Sequence, residues 1–170
     1  QQLAAISQKT VIPTVAAAMK TTSNAAVAQY ARAKLRQFEE VAKANKSDCV
    51  MLMLGELEGA GPEVQARIAA STTSETKQAL EDAFVKILTD ADAFRNAPPA
   101  RDQKRFNALY EQLDAELKMV YGASAYDLAD DSPNKTAEAR CKSGQLLFAE
   151  VLKLSDPDRS LMLRSLFVGS

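Results

Sequence analysis

Apolar side chains recur every three or four positions along most of this chain, and nowhere do they alternate with polar ones. A period near 3.6 gathers them on one face of an α-helix, whereas a half-buried strand needs a period of two. Val27, Tyr30, Ala31, Leu35, Phe38, Val41 and Ala42 form one stripe, with Arg32, Lys34, Arg36, Lys43 and Lys46 away from it. Leu80, Phe84, Ile87, Leu88, Ala91 and Phe94 form a second, and Phe106, Leu109, Tyr110, Leu113, Leu117, Val120 and Tyr121 a third. Cys141, Phe148, Val151 and Leu152, then Leu161, Met162, Leu166 and Phe167, supply two shorter ones. No Asn-Gly or Asp-Gly pair offers a hairpin. The expected fold is all-α, a compact bundle of about seven to eight helices forming a single domain over 1–170.

Composition agrees with that pattern. The chain is rich in Ala and holds only 6 Gly and 6 Pro in 170 residues, so little interrupts helices. A chain of this length buries roughly 70% of its unfolded surface and needs neither metal nor disulfide to fold.

Local signals set the expected boundaries. Pro13 interrupts the pattern of Leu3, Ile6, Val11, Ile12, Val15 and Met19, so 1–22 is expected to be a kinked N-terminal helix or an arm. Ser23 or Asn24 caps the first long helix. Ser47 is expected to cap Asp48-Cys49-Val50-Met51-Leu52-Met53-Leu54, the most continuously apolar run, which Gly55, Gly59 and Gly61 terminate. A helix without a polar face belongs inside, so this run is expected to be the central element. Pro62 opens another helix, and Thr72-x-x-Glu75 resembles a capping box for one reaching about Asn96. Asn96-Ala97-Pro98-Pro99-Ala100 reads as a tight connection, Gly122 as a helix stop and 123–134 as a surface loop. A helix from Lys135 or Thr136 to Leu154 follows, and Ser155-x-x-Asp158 marks the start of the last one, Asp156 to Phe167.

Much chemistry is excluded by what is missing. Without histidine there is no Ser-His or Cys-His nucleophile pair and no histidine zinc ligand. No Walker loop, dinucleotide glycine fingerprint or zinc pattern occurs, so no cofactor is expected. No apolar segment reaches the ~18 residues that span a bilayer. Residues 1–47 carry seven basic against two acidic side chains, but without interleaved exposed aromatics this reads as a solvated face, not a nucleic-acid site.

Four groups remain as candidates. Cys49 and Cys141 lie in separate helices; the even count and a first residue other than Met favour a disulfide, as in an exported protein, over two buried thiols. Ser74-x-x-Lys77 has serine–lysine nucleophile spacing, yet that chemistry needs a β-sheet and the residues read as a polar helix start. Glu56-x-Glu58 with Glu63 surrounds the glycine-rich break, where carboxylates could serve acid–base chemistry or meet a partner. Asp127, Asp130, Asp131 and Asn134 gather in the 123–134 loop at a spacing unlike a calcium loop, so they are read as partner-binding.

The function expected from these residues is non-enzymatic protein binding, as in an extracytoplasmic bacterial inhibitor or an immunity protein against a secreted toxin, periplasmic or secreted. The alternatives are a hydrolase using Glu56, Glu58 and Glu63, and a helical small-ligand binder with an apolar site beside Met51 and Met53. Charge reversal at Asp130 and Asp131 is expected to weaken binding to a basic partner and leave the melting temperature nearly unchanged. Unchanged affinity in a titration with that partner removes the loop from the interface.

Overall fold

The computed structural model describes residues 14–95, 102–123 and 136–168, the side chain of Glu58 excepted. Among these the protein is an all-α bundle without strands. Its helices are α1 (Asn24–Ala44), α2 (Lys46–Leu54), α3 (Pro62–Ser71), α4 (Ser74–Thr89), α5 (Gln103–Tyr121), α6 (Ala137–Lys153) and α7 (Asp158–Val168). A 3₁₀ turn, Glu56–Glu58, follows α2, and residues 14–19 are helical ahead of α1. Pro13, the expected kink, lies outside the described residues.

The centre of the bundle is α1, not the 48–54 run. It touches α2, α3, α4, α6 and α7, and buries Ala26, Val27, Ala28, Ala31, Ala33, Phe38, Val41 and Ala42. Most of these are alanines, which let neighbouring helices approach closely on several sides. By contrast α2 buries only Asp48, Cys49 and Leu52, while Val50, Met51 and Met53 are half-buried and Leu54 is exposed. It is a short flank wedged against α1 and α6.

Cys49 on α2 and Cys141 on α6 form a buried disulfide, with Cα atoms 5.8 Å apart across a sequence separation of 92. By chain entropy, closing so long a loop is worth about 4–5 kcal/mol. The Gln145 side-chain amide donates to the Phe38 carbonyl at 3.2 Å and lies 3.4 Å from the Cys141 Sγ, linking α1 to the bridge. On the other side of α2, Asp48 is held by Arg67 of α3 through two hydrogen bonds, Nε to Oδ2 at 2.9 Å and a terminal nitrogen to Oδ1 at 2.8 Å. The Asp48 side chain is 3% exposed and that of Arg67 50%, so a buried charge is balanced by one reaching in from the surface.

Several caps fall where expected. Ser23 accepts from the Ala26 N–H and Thr136 from the Ala139 N–H, each at 3.2 Å, and Pro62 sits in the first turn of α3. Gly55 and Gly122 end α2 and α5 with φ of 72° and 86°, which side-chain-bearing residues rarely adopt. Three other caps move by a residue or two. Asn45, not Ser47, caps α2, its Oδ1 accepting from the N–H groups of Ser47 (2.9 Å) and Asp48 (3.1 Å). Thr73, not Thr72, caps α4 by accepting from the Thr76 N–H at 3.2 Å. At α7 the local acceptor is Asp156, which takes the Ser160 hydroxyl and Arg159, while Asp158 turns outward to Arg105 of α5 (Nε to Oδ1, 3.0 Å). Adjacent polar residues have similar capping tendencies, and the winner is the one whose backbone leaves the helix.

The second stripe ends early: α4 stops at Thr89, residues 91–95 form turns, and the Phe94 N–H donates to the Thr21 carbonyl at 3.0 Å. This brings the segment before α1 against α4, and Val15, Ala18, Met19, Ala26 and Ile87 form a second small core. Arg164 of α7 locks it by donating to the carbonyls of Met19 and Thr22 and to the Asn24 Oδ1, the last two at 2.8 and 2.9 Å. Cationic donors suit the carbonyl-rich end of a helix.

Glu40 of α1 supplies the other long-range cap. Its carboxylate accepts the Thr73 N–H (2.9 Å) and the hydroxyls of Thr73 and Thr76 (both 2.8 Å) at the start of α4. Burial alone pushes its pKa up, but these three hydrogen bonds and nearby Lys43 outweigh burial and hold it below the usual value. A carboxyl depressed in the folded state stabilises above its unfolded pKa, about 4.3, and loses that contribution as pH falls through the folded value. Glu40→Gln is therefore expected to cost about 1–2 kcal/mol at pH 7, with the difference from the parent vanishing in acid. Urea unfolding midpoints from pH 7 downward check this; a pH-independent difference contradicts it.

Candidate functional site

The expected site residues are not drawn into one centre. Glu56 lies exposed in the 3₁₀ turn after α2, and Glu58 occupies the same turn, its side chain outside the described residues. Glu63 is exposed in the first turn of α3, where a carboxylate favours the helix dipole. Asp127, Asp130 and Asp131 lie outside the described residues, as does Asn134. Ser74 and Lys77 are exposed at the start of α4. Among the described residues no three His, Cys, Asp or Glu side chains come close enough to hold a metal ion. No described helix is long and apolar enough to cross a membrane.

Two features that sequence reasoning placed wrongly are the most distinctive. The first is the end of α5. Leu109, Leu113 and Leu117 are buried as expected, but Val120 and Tyr121, expected on the core side, are not. Met119, Val120 and Tyr121 are 80%, 68% and 44% exposed. Leu117 is the last residue of the stripe that is buried. Three consecutive large apolar residues span more than half of a helix's circumference, so one core face cannot hold them all; that was the available signal. Near this end stand the ion pairs Lys118–Asp114 (2.6 Å) of the same helix and Lys153–Glu150 (2.6 Å) of α6, and the Lys153 amine is close enough to Tyr121 for the two to interact electrostatically.

The second is Lys34. Read from sequence as part of a solvated basic face, it is drawn inward and half-buried. Its Nζ donates to the Gln37 Oε1 at 2.9 Å and sits 5.4 Å from the centroid of the Phe38 ring. The ring face attracts a cation. Burial nevertheless dominates and pushes the Lys34 pKa down to about 8. One turn earlier, burial raises the pKa of Tyr30. No periodicity argument could have found Lys34, because a flexible four-carbon stem lets the amine fold back from a position facing sideways.

Searches against protein-family models, curated proteins and solved structures return no match to this chain.

Lys34 carries a measurable signature. An amine with a folded pKa below its unfolded value, about 10.4, destabilises the fold while charged, and stability rises with pH from about 8 to about 10 as the folded form sheds its proton first. Lys34→Met is expected to raise the unfolding free energy by about 1–2 kcal/mol at pH 7, a gain that shrinks as pH climbs through that window. Denaturant unfolding at pH 7 and pH 10 measures both; equal or lower stability of the variant at pH 7 refutes the burial argument.

Proposed function

We propose that this chain is a non-enzymatic protein-binding domain whose contact surface includes the C-terminal end of α5. The observation that carries the reading is the exposure of Met119, Val120 and Tyr121 at the end of a helix that buries Leu109, Leu113 and Leu117. Large apolar residues exposed together at one end of a helix mark interaction sites more than ordinary surface does, and Met and Tyr are enriched at interface cores. The buried Cys49–Cys141 bridge favours an oxidising compartment, periplasmic or extracellular, because cytosolic thiols are kept reduced. An inhibitor or an immunity protein against a secreted toxin fits both features. The acidic residues Asp127, Asp130 and Asp131 follow α5 directly in sequence and would give such a surface a preference for basic partners.

The decisive comparison is affinity capture from the source organism with the parent chain and with Met119→Asp/Val120→Lys. A partner that binds the parent directly when purified, and binds the variant at least tenfold more weakly with its melting temperature retained, supports the reading. A partner bound equally by both excludes the end of α5 from the interface.

A further inference from the structure

The segment ahead of α1 has a core of its own. Its helical residues 14–19 bury Val15, Ala18 and Met19 with Ala26 of α1 and Ile87 of α4, while Phe38, Leu113 and Val151 belong to a larger, separate cluster. Three apolar side chains, one of them an alanine, anchor this segment, whereas α1 buries eight residues. The remaining ties are polar and sit at its end. The Phe94 N–H donates to the Thr21 carbonyl at 3.0 Å, and Arg164 of α7 donates to the carbonyls of Met19 and Thr22. Two polar atoms of the residues at this joint, the Thr22 hydroxyl and the Arg164 Nε, are buried with no hydrogen-bond partner. A buried unpaired polar atom carries a free-energy cost that contact with water relieves. Burial also disfavours the charge of Arg164. Few apolar anchors thus hold down groups that water would serve better.

We propose that residues 14–22 form a strap that leaves the bundle as one unit while the larger core stays folded, with Arg164 as its latch. Openings of this kind are drawn from regions with few buried apolar contacts. Release uncovers Ala26 and Ile87 and the side of Phe84 that packs on this core. That face continues onto Val85 and Leu88, which are 57% and 39% exposed on α4 with the strap in place, Leu88 lying one turn beyond Phe84. The strap is an internal cover over an apolar face whose edge is already bare. This inference does not depend on the partner-binding reading, because the opening is a property of the isolated chain.

Hydrogen exchange of the whole chain, read amide by amide by NMR and corrected for intrinsic rates, tests it. The Thr22 N–H, bonded to the Ala18 carbonyl, lies within the strap, and the Phe94 N–H lies on the other side of the joint. Both are expected to exchange at a common rate, about a hundredfold or more faster than the amides of Phe38 and Val41 in α1. Arg164→Lys, which cannot serve the same set of acceptors, is expected to accelerate both by about tenfold. Val151→Ala, in the larger core, is expected to accelerate Phe38 and Val41 by tenfold or more and leave Thr22 and Phe94 unchanged, because it weakens the closed and the strap-open forms equally. Exchange of Thr22 and Phe94 as slow as that of α1, or accelerated together with it by Val151→Ala, overturns the proposal, since the segment then opens only when the whole fold does. Rates that differ between Thr22 and Phe94 overturn it too, as separate fraying, and rates unmoved by Arg164→Lys remove the latch.

Discussion

A helix that touches five others can be buried on most of its faces only if its side chains are small, and this constraint on α1 governs the rest of the fold. Ala26, Ala28, Ala31, Ala33 and Ala42 give α1 little bulk, so α2, α4, α6 and α7 can pack close around it. The larger residues Val27, Phe38 and Val41 are each fully enclosed and act as spacers between those neighbours. An alanine enlarged here would push one neighbour outward, typically at a cost of about 1–3 kcal/mol, and would disturb helices whose own sequences had not changed.

Around that axis, polar and covalent ties set which helices lie where. The disulfide joins α2 to α6, Arg67 joins α3 to Asp48 of α2, Glu40 joins α1 to the start of α4, and Asp158 joins α7 to α5. Each tie connects elements that burial alone could pack in several registers. Apolar contact supplies most of the stability, and these pairs supply direction.

The helical class, five of the caps and stops, and the Cys49–Cys141 pairing were legible in the sequence because each rests on a local rule: a 3.6-residue period, a side chain that caps, a glycine at positive φ, two cysteines in separate helices. The order of burial was not legible. Alanine weighs little in an apolar stripe, so α1 looked ordinary while the run 48–54 looked central; burial follows the number of neighbours, which is a tertiary property. The displaced caps show the same limit at shorter range, since Asn45 and Ser47, or Thr72 and Thr73, differ too little for sequence to choose between them. Of the candidate surface, Val120 and Tyr121 misled because the apolar pattern continues in sequence past Leu117, the last of its residues that is buried. Lys34 misled because position on a helix fixes the Cβ and not the amine.

The Arg164 lock has a consequence in time. Its acceptors at Met19 and Thr22 lie 145 and 142 residues earlier, so the segment ahead of α1 is fixed by one made long after it. At about 5–20 residues per second, roughly 7–30 s of synthesis separate the two. Ile87 of α4 is made only about midway through that interval, and Phe167 and Val168, which pack against the same core, come with Arg164. The N-terminal side of the bundle therefore cannot be locked before α7 is made, and a chain cut short before α7 would leave its second core unlocked.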